Sequence, residues 1–501
     1  MASFSEILTK ISDILWGSPK SLFGLDIPFL GDLPFLALLL LGTGLYLTAI
    51  LRFMPILRIP AAFIMLWKGR KTKEGEEGQI TPFAALATAL SSTVGTGNLA
   101  GVATAITLGG PGAIFWMWMT ALVGMATKYA ESMLAVRYRE VDEDGNFKGG
   151  PMYYIKNGLG PKWKWLAVLF AFGAMASAVS AGNMVQANGI AEVANEAFKA
   201  PPIATGFVLA ALAFIVIIGG ITSIGKFASK LVPFMAVSYV VAALIVLVLN
   251  ASGIPAAFKL IFTDAFNGHA AVGGFSGAVV AQAIRFGIAR GLFSNEAGQG
   301  SAPIAHAAAK TKDPVQQGTI AMLGTFIDTI VICTMTALVI LTVKGNFVGV
   351  DANGVEQAVS YAWQSNLVGA RITSAAFGAG IPGGDWIITF ALIIFAFTTI
   401  LGWSYYGERS ISYLLGEKAV FPFRIIWCVF TFCGAILSVQ AVWTLGDIGN
   451  AVMAAPNLLA VLLLSGVVVS MTRGGEYHRK IQKHDESAHA KGLHNVDGEA
   501  P

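Results

Sequence analysis

The sequence predicts an all-α protein that crosses a membrane many times and in which two of the crossing helices are broken near mid-membrane. Of its 501 residues, 55% are hydrophobic and only 12% are charged. That charged fraction is about half the value for an average soluble domain. Apolar runs of about twenty residues recur along the chain, and in two of them small and polar residues interrupt the run where lipid offers no hydrogen bonds.

Eleven apolar segments are predicted to span the bilayer. They lie at about 33–51, 81–107, 113–136, 163–197, 203–219, 229–250, 275–306, 318–343, 385–408, 421–440 and 449–471. The chain then divides into an N-terminal interfacial segment (1–32), the first span with its loop (33–80), five spans (81–250), an extracellular loop (251–274), five more spans (275–471) and a disordered cytoplasmic tail (472–501).

Lysine and arginine are concentrated in alternate loops, above all in the segments from Arg52 to Lys73 and from Arg137 to Lys164. Such loops are cytoplasmic in most membrane proteins. The N-terminus is therefore expected outside and the C-terminus in the cytoplasm. The second span then starts in the cytoplasm and the seventh outside, so the two sets of five spans form an inverted repeat, a pattern typical of transporters.

The first break is the segment SSTVGTGN, from Ser91 to Asn98, in the second span. Where a helix unwinds, the half ending near Thr93 presents free carbonyls and the half beginning near Asn98 presents free amides. The first suits a cation and the second a carboxylate, while Gly95 and Gly97 allow close approach of the backbone. Helix packing also uses small residues, but only at every third or fourth position. The segment therefore predicts a ligand site.

The second break is predicted between Arg285 and Gly298, in the seventh span. Ionisable groups at this depth are rare unless they are paired or line a cavity, so Arg290 and Glu296 are expected to pair and to serve as structure or gate. Ser294 is expected to cap a half-helix that starts at Asn295. Near the ligand we expect Gly287, Gly291, Ser294 and Asn295.

Three other spans carry polar residues. Asn183 and Gln186 are three residues apart on one helical face. They are expected either to hydrogen-bond a zwitterionic substrate or to hydrogen-bond a neighbouring helix. Asp328, in the eighth span, has three possible roles: coupling-ion ligand, proton carrier or partner of an arginine. In the ninth span, Thr398 and Thr399 supply the oxygen atoms that a hard cation prefers.

Several protein classes are excluded or disfavoured. The net charge of +4 is too small to indicate nucleic-acid binding, and three cysteines in apolar runs indicate neither a disulfide framework nor zinc. No span holds a nucleophile with a base, and His306 is the only histidine in a span, so no enzyme and no cofactor are predicted. A channel is the alternative to a transporter, but filters usually form around a symmetric pore.

Six short motifs resemble those of the alanine or glycine:cation symporter family. They are GTGNLAGVA (95–103), GGPGAIFWMW (109–118), KYAE (128–131), GNMVQ (182–186), SNEAG (294–298) and GWSYYGE (402–408). Lys128 and Glu131, the ends of the motif KYAE, are expected to form a structural pair. The resemblance covers about residues 30–472. It implies the leucine-transporter fold of the amino acid, polyamine and organocation superfamily and symport of alanine or glycine with Na⁺, less often H⁺, in a bacterial inner membrane.

Carried onto this sequence, the resemblance implies a pocket formed by the two broken helices with the fourth and ninth spans. With the residues of the breaks, the predicted substrate-binding set is Thr93, Gly95, Gly97, Asn98, Asn183, Gln186, Gly287, Gly291, Ser294, Thr399 and Trp403. The Na⁺ site is expected between the first break and the ninth span, with Thr93, Thr398 and Thr399 as candidate ligands. Trp403 would limit the substrate side chain to a methyl group or a hydrogen.

Overall fold

The fold is almost entirely helical in a computed structural model that describes residues 10–11, 14–24, 33–71, 75, 77–143, 145–267, 276–350 and 355–474. The α-helices are α1 (Pro19–Phe23), α2 (Phe35–Ile50), α3 (Met54–Leu57), α4 (Ile59–Lys68), α5 (Pro82–Thr93), α6 (Val102–Gly109), α7 (Ala113–Arg137), α8 (Pro151–Gly158), α9 (Lys164–Ser177), α10 (Val185–Phe198), α11 (Pro202–Ile217), α12 (Gly220–Leu249), α13 (Ile254–Asn267), α14 (Ser276–Asn295), α15 (Ala302–Ala307), α16 (Pro314–Thr325), α17 (Thr334–Thr342), α18 (Ala370–Gly380), α19 (Gly384–Leu415), α20 (Val420–Ile436), α21 (Val439–Leu463) and α22 (Ser465–Thr472). Two antiparallel hairpins are β1 (Glu140–Val141) with β2 (Phe147–Lys148), and β3 (Phe347–Val350) with β4 (Glu356–Val359).

Six helical stretches of the described chain are long and apolar enough to cross a membrane. They are Pro161–Phe198, Gly220–Leu249, Pro314–Thr342, Gly384–Leu415, Glu417–Ile436 and Val442–Leu463. The other predicted spans are shorter, broken or charged: α7 has 25 residues but carries Lys128, Glu131 and Arg137. One cluster of buried apolar side chains extends from Leu47 to Met471 and joins both halves of the chain.

The first break lies where the sequence predicts it. Thr81 caps α5 by accepting a hydrogen bond from the Ala84 backbone N–H, and Pro82 follows at the first turn, a favoured position. The helix ends at Thr93, Val94 is extended, and the chain resumes as a π-helical turn over Gly97–Gly101 that leads into α6. The span is therefore two half-helices with a non-helical joint.

The second break lies further along the chain than predicted. Helix α14 runs without interruption through Arg285 and ends at Asn295. The break covers residues 296–301, where Glu296 has φ 55° and two glycines also have positive φ. Ser294 therefore lies inside α14 and caps nothing. Ser301 takes the N-cap position of α15 without a side-chain capping bond.

Two further differences concern segments between the spans. The predicted loop at 251–274 contains α13, whose Asp264 carboxylate accepts a hydrogen bond of 2.8 Å from the Gly112 backbone N–H and so fixes the turn before α7. The last predicted span begins at 449, whereas α21 begins at Val439. The predicted interfacial segment (1–32) and the predicted tail (472–501) lie largely outside the described residues.

An ion-pair group joins the β1–β2 hairpin to the junction of α19 and α20. Lys148 Nζ lies 3.1 Å from Asp142 and 2.5 Å from Glu417. Burial raises the pKa of Asp142, but hydrogen bonds from the Asn146 backbone and from Lys148 outweigh it, so the pKa is lowered. Burial also acts to raise the pKa of Glu417, but hydrogen bonds from Lys148 and Ser412 outweigh it, so this pKa is lowered as well.

Replacing Lys148 by methionine is expected to lower the midpoint of thermal unfolding at pH 7 by about 1–3 °C, because ion pairs that remain in contact with water are weak and the Glu417 side chain is 44% exposed. A carboxyl group whose pKa is lower in the folded protein stabilises the fold when the pH is above its pKa in the unfolded chain, about 4. This stabilisation is lost as the pH falls through the pKa of the folded protein. The difference between variant and wild type should therefore shrink at acid pH. Thermal unfolding in detergent measures it, with the exposed Lys162→Met as control. A pH-independent difference would contradict the assignment.

Candidate functional site

A small cavity lies where the two breaks meet α19 and the helix pair α9–α10. Its lining residues are Ser92, Thr93, Gly95, Gly97, Ala181, Gln186, Phe293, Glu296, Gln299, Thr399, Trp403 and Asn450. Six of the predicted substrate-binding residues are among them: Thr93, Gly95, Gly97, Gln186, Thr399 and Trp403. The structure thus brings together residues that are more than three hundred positions apart in sequence.

The cavity has a very small volume. The volume open to the centre of a water molecule is about 10 Å³, which is room for about one water. An amino acid is several times larger. A ligand of that size could enter only if lining side chains or half-helices moved apart.

The backbone amides of the first break already have acceptors. Gly95 N–H donates to Asn98 Oδ1 at 2.9 Å, and Thr96 N–H donates to Gln186 Oε1 at 3.2 Å. Both amides precede the half-helix near Asn98, whose amides were predicted to be free for a carboxylate. Since a carboxylate is a stronger acceptor than a neutral amide oxygen, it can replace Gln186 at Thr96.

Thr399 joins α19 to the first break. Its Oγ1 donates to Val94 O at 3.2 Å and to Phe395 O at 3.0 Å. A Cβ atom on Gly95 would lie only 2.6 Å from Thr399 Oγ1, so glycine is required for this approach. Thr398 points elsewhere, because its Oγ1 lies 3.7 Å from Met235 Sδ on α12.

A tryptophan and a buried carboxylate connect three elements beside the cavity. Trp403 Nε1 donates to Glu296 Oε1 at 2.9 Å and to Ser92 O at 3.2 Å. Ser301 Oγ donates to the other oxygen of Glu296 at 2.5 Å. Sequence reasoning missed this bond between Trp403 and Glu296. The available signal was that a buried indole N–H and a buried carboxylate each need a partner.

The predicted pair of Arg290 and Glu296 is not formed. Glu296 is held by Trp403 and Ser301, while the Arg290 guanidinium lies over the Trp443 ring at 5.1 Å. Arg290 instead interacts electrostatically with Asp447. Both charges line a second cavity of about 400 Å³, which shares Phe293, Gln299 and Asn450 with the central one.

Asp328 is held by three neutral donors. Asn98 Nδ2 donates to it at 2.6 Å, Ser294 Oγ at 2.8 Å and Thr329 Oγ1 at 2.8 Å, and all four side chains are buried. No arginine contacts Asp328 within the described ranges, so the role as an arginine partner is wrong. A carboxylate bonded only to neutral groups keeps its negative charge available to a cation.

The sequence profile of the sodium:alanine symporter family matches residues 25–491. The chain belongs to this family. Among similar proteins, the sodium/alanine symporter AgcS of Methanococcus maripaludis is 47% identical over 95% of this chain and 98% of its own length. An uncharacterized transporter of Haemophilus influenzae is 44% identical over 97% and 99%.

The fold is also that of a solved transporter. The crystal structure of MhsT in complex with L-phenylalanine aligns with a TM-score of 0.54 and 12% identity, and the alignment covers 79% of this chain and 99% of that one. The member of the sodium:alanine symporter family described here is therefore a helical membrane transporter of the leucine-transporter type and not an enzyme.

Five predicted substrate-binding residues do not line the cavity, and four of them are two glycines of α14 and two residues bonded to Asp328. Gly287 and Gly291 are in the regular part of α14, where a Cβ atom would meet Trp116 Cβ at 2.6 Å and Thr120 Cβ at 3.3 Å, respectively. Both glycines serve the packing of α14 on α7. The other two, Asn98 and Ser294, are bonded to Asp328.

Asn183 is turned away as well. Its Nδ2 donates to Trp427 O on α20 at 2.9 Å, whereas Gln186 faces the first break. The prediction placed both on one face of a regular α-helix. Residues Ala178–Met184 form a π-helical segment instead, and its wider turn separates the two side chains.

Proposed function

We propose that the protein carries alanine into the cell together with Na⁺ by alternating access. The observation that carries this proposal is the central cavity, because both broken helices, Gln186 and Thr399 line it at once. Substrate sites between discontinuous helices are typical of transporters. The name of the sodium/alanine symporter from Methanococcus maripaludis supports alanine as substrate. Glycine, which is smaller, fits the same reasoning, and H⁺ is the alternative coupling ion.

The substrate is expected to bind with its carboxylate on the first break. There it would replace Gln186 Oε1 as acceptor of the Thr96 amide. Its ammonium would lie on the side of Glu296, whose carboxylate lines the same cavity and has further lone pairs for it. The Trp403 ring, also in the lining, would leave space for no more than a small side chain.

Na⁺ is cargo in this proposal, and two groups of oxygen atoms suit it. One is Val94 O with Thr399 Oγ1, which join the first break to α19. The other is the carboxylate of Asp328 with the oxygen atoms of Ser294 and Thr329. A cation at either place would draw separate elements together. Its binding would therefore favour the same closed arrangement as substrate binding, which couples the two.

Replacing Thr399 by valine is expected to raise the Na⁺ concentration for half-maximal uptake about 10-fold, because a hydroxyl ligand is lost while the shape is kept. Na⁺ titration of alanine uptake measures this. Thr398→Val is the matched control, since the adjacent hydroxyl faces Met235, and it should change the value less than about 3-fold. Equal effects of the two substitutions would remove Thr399 from the Na⁺ site.

We further propose eleven spans arranged as two inverted sets of five after one additional N-terminal span. The N-terminus would lie outside and the C-terminus in the cytoplasm of a bacterial inner membrane. The charge distribution of the loops supports this orientation. Cysteine accessibility at Ser18 and at Lys162, predicted on opposite sides, would test it in intact cells.

Uptake into proteoliposomes tests the function itself. We expect labelled alanine to accumulate above its external concentration under an inward Na⁺ gradient, with less accumulation when a pH gradient replaces Na⁺. Glycine in parallel gives the substrate preference. Flux that only equilibrates alanine would indicate a channel, and absence of alanine transport under every gradient would refute the proposal.

A further inference from the structure

Lys128 is an internal lysine that the proposed transport cycle leaves without a role. It lies in the middle of α7 and is 1% exposed. Its Nζ has no hydrogen-bond partner in the part of the chain that the structure describes. The expected direct pair with Glu131 is not formed: Asn457 Nδ2 donates to Glu131 Oε1 at 2.5 Å, and Glu131 Oε2 has no hydrogen-bond partner among the described residues.

Three carboxylates nevertheless surround Lys128 electrostatically. It interacts with Glu296 in the second break, with Glu131 one turn along α7, and with Asp328 in a further π-helical segment, Phe326–Cys333, between α16 and α17. Charges inside a membrane protein are rare unless they compensate one another. The ammonium is therefore the cationic partner of a group of acids that belong to three separate elements.

The packing of α7 explains this position. Gly124 lies one turn before Lys128, and a Cβ atom there would come within 2.8 Å of Ala297 Cβ in the second break. Residues four apart share a helix face, so Lys128 also faces the second break. His306 of α15, which follows that break in the chain, also interacts electrostatically with Lys128.

The charges of this group do not balance. Three carboxylates and one ammonium leave two negative charges when all are ionised. Charge interactions are much stronger in a protein interior than in water. A bound Na⁺ and the ammonium of a bound amino acid would neutralise the excess, whereas in the empty protein Lys128 is the cation of this group.

We propose that Lys128 is the internal counter-cation of the empty transporter. Its ammonium compensates the negative charge of the acids of the two sites after the cargo leaves, so that the empty protein can reorient. This inference rests on the proposed Na⁺-coupled symport. A lysine suits the role because its ammonium is a point charge on a flexible stem, and here no hydrogen bond fixes it. Lys128 is thus a positioning residue.

The surroundings of Lys128 offer hydrogen-bonding capacity for such a movement. Among the residues that the structure describes, buried side-chain atoms of α7, the second break, α15 and α16 without a hydrogen-bond partner include Thr127 Oγ1, Glu131 Oε2, Ser132 Oγ, Gln299 Oε1, His306 Nε2, Gln317 Oε1 and Thr325 Oγ1. Unsatisfied buried groups in native proteins usually bind water. A hydrated path beside α7 would let the ammonium change partners at low cost.

The test compares net uptake with exchange in proteoliposomes. Net uptake requires the empty protein to return, whereas exchange of labelled for unlabelled alanine at equal Na⁺ on both sides does not. Lys128→Met is expected to reduce net uptake at least about 10-fold and to leave exchange within about 3-fold of wild type. Lys128→Arg, which keeps the charge, should retain both. A purely structural role would reduce both activities equally, and that result would overturn the inference.

A second variant decides the matter even if Lys128→Met does not fold. The double substitution Lys128→Met with Glu131→Gln restores the wild-type charge balance and leaves Asn457 an acceptor at position 131. It should recover net uptake to within about 3-fold of wild type, and failure to recover would overturn the inference. Wild-type protein without Na⁺-dependent alanine uptake would refute the proposed function instead, so the two failures are distinguishable.

Discussion

Replacing Asp328 by asparagine is expected to reduce Na⁺-dependent alanine uptake about 100-fold, because hydrogen bonds to a charged acceptor contribute about 1.5–3 kcal/mol each. Three side chains, Asn98, Ser294 and Thr329, donate to this carboxylate. An asparagine amide has one oxygen and directs its NH₂ group at one of these donors. The change also removes the negative charge that would attract Na⁺. Initial rates of uptake at saturating alanine measure the effect.

The matched control is Asp385→Asn, at the exposed start of α19. We expect its uptake to stay within about 2-fold of wild type, since exposed substitutions away from special features have small effects. Thermal unfolding in detergent shows whether the Asp328 variant is folded. A folded Asp328→Asn protein with near-normal uptake would exclude Asp328 from both ion binding and the conformational change.

Replacing Trp403 by alanine is expected to weaken alanine binding about 10-fold or more and to admit larger amino acids, because truncating a buried tryptophan opens a cavity. Trp403→Phe separates two contributions. It keeps most of the ring volume but loses the bond to Glu296, so it should lower alanine affinity without admitting larger substrates. Competition of leucine with labelled alanine measures selectivity.

Trp386→Ala is the control on the same helix, because that side chain is 44% exposed. It should leave both affinity and selectivity within about 2-fold of wild type. If Trp403→Ala transports alanine with normal affinity and still rejects leucine, Trp403 does not form the wall of the pocket.

The place of the first break could be predicted from sequence because it depends on local chemistry. Two glycines and a run of hydroxyl residues cannot form a stable lipid-facing helix, and the helix ends at Thr93 as expected. The second break was misplaced by several residues. Charged Arg285 and Arg290 indicated a break there, but α14 accommodates both, since they line the second cavity instead of lipid.

The partners of the polar residues could not be predicted in the same way. Gln186 and Thr399 were expected near the first break and line the cavity. The bonds of Asn98 and Ser294 to Asp328 depend on three elements meeting in space, which no local pattern shows. Asn183 was misplaced because a π-helical segment changes the facing of residues without a clear sequence signal.

The contact of Gln186 with the first break has a consequence for how tightly any cargo can be held. The Thr96 amide that a carboxylate would use is already satisfied by a side chain of the protein. In the proposed mechanism, the carboxylate of an incoming amino acid would compete with the Gln186 side chain for this amide, so only the difference between the two acceptors would contribute to affinity. Gln186 would also assist release, because its side chain can return to the amide as the substrate leaves. Since the substrate must dissociate in every transport cycle, an internal acceptor for this amide would speed the cycle.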